Sequence, residues 1–187
     1  GGGNTRVLAA AGWDVIALEY GQEGARVGRE RGLDVIRADA TAIPLADHSL
    51  DLVVAYDVLE HLLDHDACVQ DVCRVLRPGG TFLVAVPCDP RLWSAHDVAV
   101  DHARRYTKAT LRDVLERNGF AVESLWSWNV LLRPVVALRR RVSSGSDLEE
   151  IHPLVNVALR AVVTVGDTSM SGVSSTSLAG FRENVLS

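Results

Sequence analysis

Residues 1–20 read GGGNTRVLAAAGWDVIALEY and place a glycine run directly before a helix and a short apolar strand. Glycine tolerates backbone angles and close approaches that a side chain forbids, and Asn4 or Thr5 can cap the helix that follows. A loop of this kind normally follows a strand. We therefore expect the chain to be a fragment of a larger fold, with an upstream strand that these 187 residues do not contain.

The rest of the chain alternates short apolar strands with capped helices. Strands are predicted at 14–20, 34–40, 50–57, 81–87 and 121–128, and helices at 4–12, 21–32, 64–76 and 107–120. This alternation predicts an α/β fold in which parallel strands are joined by right-handed helical crossovers, as in a doubly wound sheet. Ligands of such sheets bind at the carboxyl ends of the strands.

Composition limits the class of protein. The chain has 187 residues, 48% of them hydrophobic, which suits one globular domain. A formal net charge of −5 provides no basic surface, so we predict no nucleic-acid partner. Three cysteines without a CxxC motif suggest neither a disulfide framework nor a zinc site, and the apolar stretches are too short to span a bilayer. These features predict a cytoplasmic protein.

Polar side chains stand where three of the predicted strands end. Glu19 could accept hydrogen bonds from both hydroxyls of a ribose, and Tyr20 beside it could pack on a purine. Asp39 could accept a bond from an adenine amine while the backbone of Ala40 reads the ring edge. Asp57 ends the next strand. Solvated carboxylates, or in the case of Asp57 a helix cap, are the alternative interpretation of these residues.

Four stretches together resemble the successive motifs of class I S-adenosylmethionine-dependent methyltransferases, in their small-molecule, type 11-like branch. They are GGGN at 1–4, ALEY at 17–20, RADATAIPLADHSLDLVVAYDVLEHL at 37–62 and CRVLRPGGTFLVAVP at 73–87. The resemblance implies a Rossmann-like core over residues 1–125 and S-adenosylmethionine as the cofactor. It also implies that the absent first strand is the middle strand of the sheet.

The resemblance implies a role for each of the cofactor residues. The glycines at the start of the chain would end the loop around the methionine part, Glu19 would bind the ribose, and Asp57 would lie near the methionine end. The full predicted set is Gly1, Gly2, Gly3, Glu19, Tyr20, Asp39, Ala40 and Asp57.

His61 is the first candidate for the catalytic base, because an imidazole can remove the acceptor's proton near neutral pH. Glu60 and His61 could instead hold a divalent metal, as in some ubiquinone-pathway O-methyltransferases that this stretch resembles. A structural histidine is the third alternative. We predict a base and no metal.

The segment DHARRYTKATLRDVLERNGF at 101–120 resembles the part of many family members that faces the acceptor. His102 is therefore a second candidate base, and Arg105 and Tyr106 are candidates for binding the acceptor. Alternatively, Arg105 pairs with a carboxylate such as Asp101, and Tyr106 packs structurally.

The remaining sequence predicts a helical lid at 126–165 and a last strand and tail at 166–187. An apolar lid that excludes water predicts a small, apolar organic acceptor and favours O-methylation. Contact with a membrane surface is possible but not favoured, and the sequence does not predict an oligomeric state. The alternatives to a methyltransferase are a nicotinamide-dependent dehydrogenase and a non-catalytic remnant that binds adenosine compounds.

Overall fold

A computed structural model of the chain describes residues 3–127. These residues divide after Leu45 into two compact units. The helices are α1 Gly3–Ala10, α2 Gln22–Glu30, α3 His65–Val75, α4 Ala95–Ala99 and α5 Lys108–Arg117, and a 3-10 turn spans Pro90–Leu92. The strands are β1 Ile16–Glu19, β2 Asp34–Arg37, β3 Leu50–Tyr56 and β4 Leu76–Ala85.

The first unit is built on the parallel pair β1 and β2, in which Glu19 lies opposite Arg37. Ala25 of α2 is fully buried against Ala17 and Val35 of the two strands. Small side chains at these positions let the helix lie close to the strands. The parallel pairing brings the carboxyl ends of β1 and β2 to the same edge.

The second unit is built on the parallel pair β3 and β4, in which Tyr56 lies opposite Ala85. Asp64 caps α3, since its side chain accepts a hydrogen bond from the Ala67 backbone N–H. Apolar side chains of α3 and α5 are buried and form most of this unit's core. They are Cys68, Val69, Val72, Val75, Leu111, Val114 and Leu115.

The segment between β4 and α5 leaves the sheet and returns to it. Its ends are closed by two backbone hydrogen bonds, from Asp89 N–H to the Tyr106 carbonyl at 2.8 Å and from Tyr106 N–H to the Pro87 carbonyl at 3.0 Å. We call residues 88–106 the closed loop. It carries α4 and three of the polar residues predicted for the acceptor site.

The four helices and the first four strands predicted from the sequence are confirmed, with ends shifted by a few residues. The strand predicted at 121–128 is wrong over 121–127, which have no regular secondary structure, and α4 was not predicted. The strands of residues 3–127 form two parallel pairs. Almost all of the predicted lid, and the last strand with the tail, lie outside the described residues. Within residues 3–127, no helix has the length and apolarity needed to cross a membrane.

Thr107 caps α5, directly after the closed loop, and accepts a hydrogen bond from the Thr110 backbone N–H at 3.1 Å. Replacing a threonine cap by alanine typically costs about 1 kcal/mol, because the first turn loses its acceptor. We expect Thr107→Ala to lower the free energy of unfolding by about that amount in urea denaturation. Thr107→Ser keeps the hydroxyl and should stay close to wild type. Equal losses in both variants would mean that the methyl group, not the cap, matters.

Candidate active site

The Glu19 carboxylate lies over the first turns of α2, where a glycine makes room for it. A Cβ atom added to Gly24 would lie 2.7 Å from Glu19 Oε2, which is closer than van der Waals contact allows. The missing side chain at position 24 therefore leaves the space that the carboxylate occupies at the end of β1. This placement agrees with the predicted position of Glu19 at a strand end.

Asp39 and Tyr20 follow the ends of β2 and β1 at the same edge of the first unit. Asp39 Oδ1 accepts hydrogen bonds from the Thr41 N–H at 2.9 Å and the Thr41 hydroxyl at 2.8 Å, and these bonds lower the pKa of the Asp39 carboxyl. The side chain of Tyr20 is 76% exposed. Ala40 directly follows Asp39, so its backbone lies at the same edge.

These residues fit an adenosine group. A carboxyl group in the space left by Gly24, a second one beyond the neighbouring strand and an exposed aromatic ring supply hydrogen-bond acceptors and a stacking surface. Gly3 begins α1, whereas Gly1 and Gly2 lie outside the described residues. The predicted contacts of the glycines with a cofactor stay predictions.

Asp57 follows β3 in the second unit and takes a left-handed backbone conformation with φ 52°. Its N–H donates to the Ala85 carbonyl at 3.0 Å, which extends the pairing with β4 by one residue. No helix begins at Val58, and α3 starts only at His65 with Asp64 as its cap. The interpretation of Asp57 as a helix cap is therefore wrong, and its strained backbone turns the chain into the residues that follow.

Glu60 is fully buried, and among residues 3–127 neither of its carboxylate oxygens has a hydrogen-bond donor. Burial raises the pKa of Glu60 to about 7, and the nearby Asp57 side chain adds to the effect. The backbone N–H of Glu60 itself, too poorly aligned for a regular hydrogen bond, and the Arg105 charge oppose it. A buried carboxyl group with these neighbours exists in both protonation states near neutral pH.

His61 and His102 meet beside Glu60. Their rings stand edge to face with centroids 4.7 Å apart, and His102 Nε2 lies 4.0 Å from Glu60 Oε1. One donor atom from each of Glu60, His61 and His102 lies within 4.8 Å of the others, so the three could share a proton or a divalent cation. His61 is exposed, whereas the side chain of His102 is 7% exposed.

Asp97 is a fully buried carboxylate that the sequence analysis missed. It accepts hydrogen bonds from Ser94 N–H at 2.8 Å, from His102 Nδ1 at 2.9 Å and from Arg105 Nε at 2.7 Å. Although burial itself acts to raise the pKa of Asp97, these bonds outweigh it and hold that pKa far below its ordinary value. The Ser-x-x-Asp spacing from Ser94, a capping box, was the available signal. Arg105 thus pairs with Asp97 rather than with Asp101.

Tyr106 is buried, with 2% of its surface exposed. Its hydroxyl lies 2.6 Å from His65 Nδ1 and donates to the Leu59 carbonyl at 3.3 Å, and burial raises its pKa to about 12. The first bond links the closed loop to the start of α3, and the second links it to the segment between β3 and α3. This arrangement agrees with the structural alternative for Tyr106, while its predicted role in acceptor binding stays a prediction.

A family model of a methyltransferase domain matches residues 1–84. The match covers less than half of the 187 residues. The matched methyltransferase domain, together with the names of the relatives described next, supports S-adenosylmethionine as the cofactor. This finding confirms the cofactor that the sequence resemblance implies.

Two relatives and one solved structure illustrate the similarity. A Mycolicibacterium smegmatis protein named "probable S-adenosylmethionine-dependent methyltransferase" is 37% identical over 113 residues, which are 58% of this chain and 44% of the relative. Demethylmenaquinone methyltransferase of Mycobacterium sp. strain KMS is 36% identical over 81 residues, 43% of this chain and 35% of the relative. The chain thus spans less than half the length of both.

The solved structure is that of a Bacillus halodurans protein named as a methyltransferase. It is 21% identical and superposes with a TM-score of 0.61 over 77% of this chain and 70% of that chain. At this identity the likeness supports the Rossmann-like α/β fold and leaves the acceptor open.

Glu60 makes the stability of the protein depend on pH. Because its pKa is about 7 in the folded protein and 4.5 ordinarily, the folded state binds the proton more tightly than the unfolded state between these values. The stabilisation is complete below pH 4.5 and is lost as the pH rises to about 7. We compare the free energy of unfolding of the wild type with that of Glu60→Gln. The difference, wild type minus variant, should fall as the pH rises from 4.5 to about 7.

Urea denaturation at a series of pH values measures that difference. Glu116→Gln, which removes an exposed carboxylate of α5, is the control and should leave the pH dependence unchanged. Parallel curves for wild type and Glu60→Gln would contradict the raised pKa.

Proposed function

We propose that the protein transfers a methyl group from S-adenosylmethionine to a small, apolar organic acceptor, with a hydroxyl as the favoured acceptor group. The match of residues 1–84 to a methyltransferase domain carries this proposal. The paired imidazoles and the buried carboxyl group of the second unit support it, since transfer to a hydroxyl releases a proton that a base must take.

The residues of the first unit would bind the adenosine part of the cofactor. In this proposal Glu19 accepts hydrogen bonds from the two ribose hydroxyls, Asp39 accepts one from the adenine amine, and Tyr20 packs against the purine. The carboxylate of Asp39 is already oriented by Thr41, which reduces the entropy lost on binding. The glycines at the start of the chain and Asp57 are proposed to contact the methionine part.

The residues of the second unit would act on the acceptor. The bound cofactor supplies an electrophilic methyl group on a positively charged sulfur. His61, which is exposed, would take the acceptor's proton, and His102 would support it from the protein side. Holding the acceptor in line with the methyl group can supply about 7 to 11 kcal/mol of the barrier. Arg105 is committed to Asp97, so its proposed part is to shape the site.

An apolar acceptor is favoured by two considerations. One similar protein bears the name demethylmenaquinone methyltransferase, and the sequence predicts an apolar lid at 126–165, most of which lies outside the described residues. Quinone precursors and simple phenols of increasing alkyl length are therefore the first acceptors to test. Each buried methylene should add about 0.8 kcal/mol to the interaction.

Glu19→Ala tests the cofactor site. A hydrogen bond to a charged group contributes about 1.5 to 3 kcal/mol, so losing the carboxylate should weaken S-adenosylmethionine binding by roughly tenfold or more in calorimetry. Gly24→Ala should also weaken binding, because its Cβ would displace the Glu19 carboxylate. Glu30→Ala removes an exposed carboxylate of the same unit and serves as the control. Unchanged affinity in Glu19→Ala would exclude the ribose contact.

His61→Ala tests the base. Losing a general base lowers turnover by roughly 10²- to 10⁴-fold, while a residue that does not touch the cofactor leaves its affinity intact. We expect radiolabelled methyl transfer to a phenolic or quinol acceptor to fall within that range, with calorimetric affinity for S-adenosylmethionine near wild type. Loss of cofactor binding together with turnover would identify a structural histidine instead.

A further inference from the structure

We propose that Asp97 is a positioning residue that holds His102 in the tautomer able to accept a proton from His61, with Glu60 as the buried group that shares this proton. The proposal rests on the methyl transfer proposed above and adds two residues, Asp97 and Glu60, to its machinery. It concerns the route of the proton after it leaves the acceptor.

The tautomer of His102 follows from its partner. Asp97 is ionised, because the bonds from Ser94, His102 and Arg105 hold its pKa low, and an ionised carboxylate can only accept hydrogen bonds. The 2.9 Å contact between His102 Nδ1 and Asp97 Oδ1 therefore requires the proton on Nδ1. Neutral His102 then has its lone pair on Nε2, the nitrogen that lies 4.0 Å from Glu60 Oε1.

Backbone hydrogen bonds fix this arrangement. The His102 N–H donates to the Asp97 carbonyl at 2.8 Å. Asp97 and His102 are therefore joined by a backbone hydrogen bond as well as by the bond between their side chains. The Ala103 N–H donates to the Glu60 carbonyl at 2.7 Å, which ties the closed loop to the segment after β3. Backbone hydrogen bonds thus fix the positions of Asp97, His102 and Glu60 relative to one another, as a positioned base requires.

The charges around the pair are mixed. Titratable and charged side chains reach Glu60 and His102 from the segment after β3, from α4 and from the rest of the closed loop. They are Asp57, His61, His96, Asp97 and Arg105. Asp57 favours a proton on Glu60 and Arg105 disfavours it, while Asp97 accepts a hydrogen bond from His102 Nδ1. Glu60 can therefore hold a proton near neutral pH.

The step balances as follows. The acceptor oxygen forms a bond to the methyl carbon while the methyl–sulfur bond breaks, and the positive charge on sulfur becomes a neutral thioether. The acceptor's proton goes to His61, whose ring meets His102 edge to face with centroids 4.7 Å apart. The proton then passes to Nε2 of His102 and is shared with the Glu60 carboxylate, which leaves His61 neutral. No oxidant, reductant or further reactant is needed.

Nitrogen NMR of histidine-labelled protein tests the tautomer directly. The shifts of Nδ1 and Nε2 distinguish the two neutral forms, and His102→Gln assigns the signals. We expect wild-type His102 to carry its proton on Nδ1 at neutral pH. Asp97→Ala should move the proton toward Nε2, and Asp97→Glu should restore part of the wild-type pattern. A proton on Nε2 in the wild type would overturn the proposal, even if no Asp97 variant folds.

Kinetics test the consequence for catalysis. In the proposed methyl transfer, Asp97→Ala and Glu60→Gln should lower kcat at neutral pH by roughly tenfold or more, with KM for the acceptor and affinity for S-adenosylmethionine near wild type. The double variant Glu60→Gln/His102→Gln should lose no more than His102→Gln alone, since the two act as a unit. Asp113→Asn, on the exposed face of α5, is the control.

The two experiments separate the proposals. If no acceptor is methylated, the proposed function fails, while the NMR result still decides whether Asp97 sets the tautomer. If methyl transfer occurs but the losses in kcat of Glu60→Gln and His102→Gln add up in the double variant, the proton transfer from His102 to Glu60 is overturned and the proposed function stands.

Discussion

The second unit depends on how the buried charge of Asp97 is neutralised. An ionised carboxylate removed from water costs several kcal/mol unless donors replace the lost hydration. Here the backbone amide and hydroxyl of Ser94, the imidazole of His102 and the guanidinium of Arg105 donate to it, and these three residues belong to the closed loop. Removing any one donor would leave the carboxylate undercompensated, so the loop can adopt few other shapes. The position of His102 is a consequence of this constraint.

Glu60, on the other side of His102 from Asp97, is a buried carboxyl group whose charge is not neutralised in this way. It is equally buried, yet the described residues offer its carboxylate no donor, and its pKa moves up while that of Asp97 moves down. Two carboxyl groups with pKa values driven apart by their surroundings are typical of acid–base chemistry, because one stays charged and the other exchanges a proton. His102 lies between them and bonds the one that stays charged.

The sequence predicted those features that depend on residues close together in the chain. Caps and apolar periodicity located α5 and β3, and strand ends located Glu19 and Asp39. Residues 121–127 carry an alternating pattern but form no strand, because pairing needs a neighbouring edge that local sequence does not reveal. Asp97 was missed because the residues that donate to it lie three, five and eight positions away in a segment without periodicity. Likewise, the 41-residue separation of His65 from Tyr106 hides their bond.

The closed loop has a consequence for how related proteins can diverge. Main-chain hydrogen bonds between Asp89, Tyr106 and Pro87 join its two ends. The positions of β4 before it and α5 after it therefore do not depend on its length. Doubling the length of such an excursion costs only about 0.6 kcal/mol in closure entropy. Insertions directly after the 3-10 turn would lengthen the loop outside the segment from Ser94 to Arg105 that holds Asp97. The length and sequence of this loop can thus vary among related proteins with little change to the core that carries it.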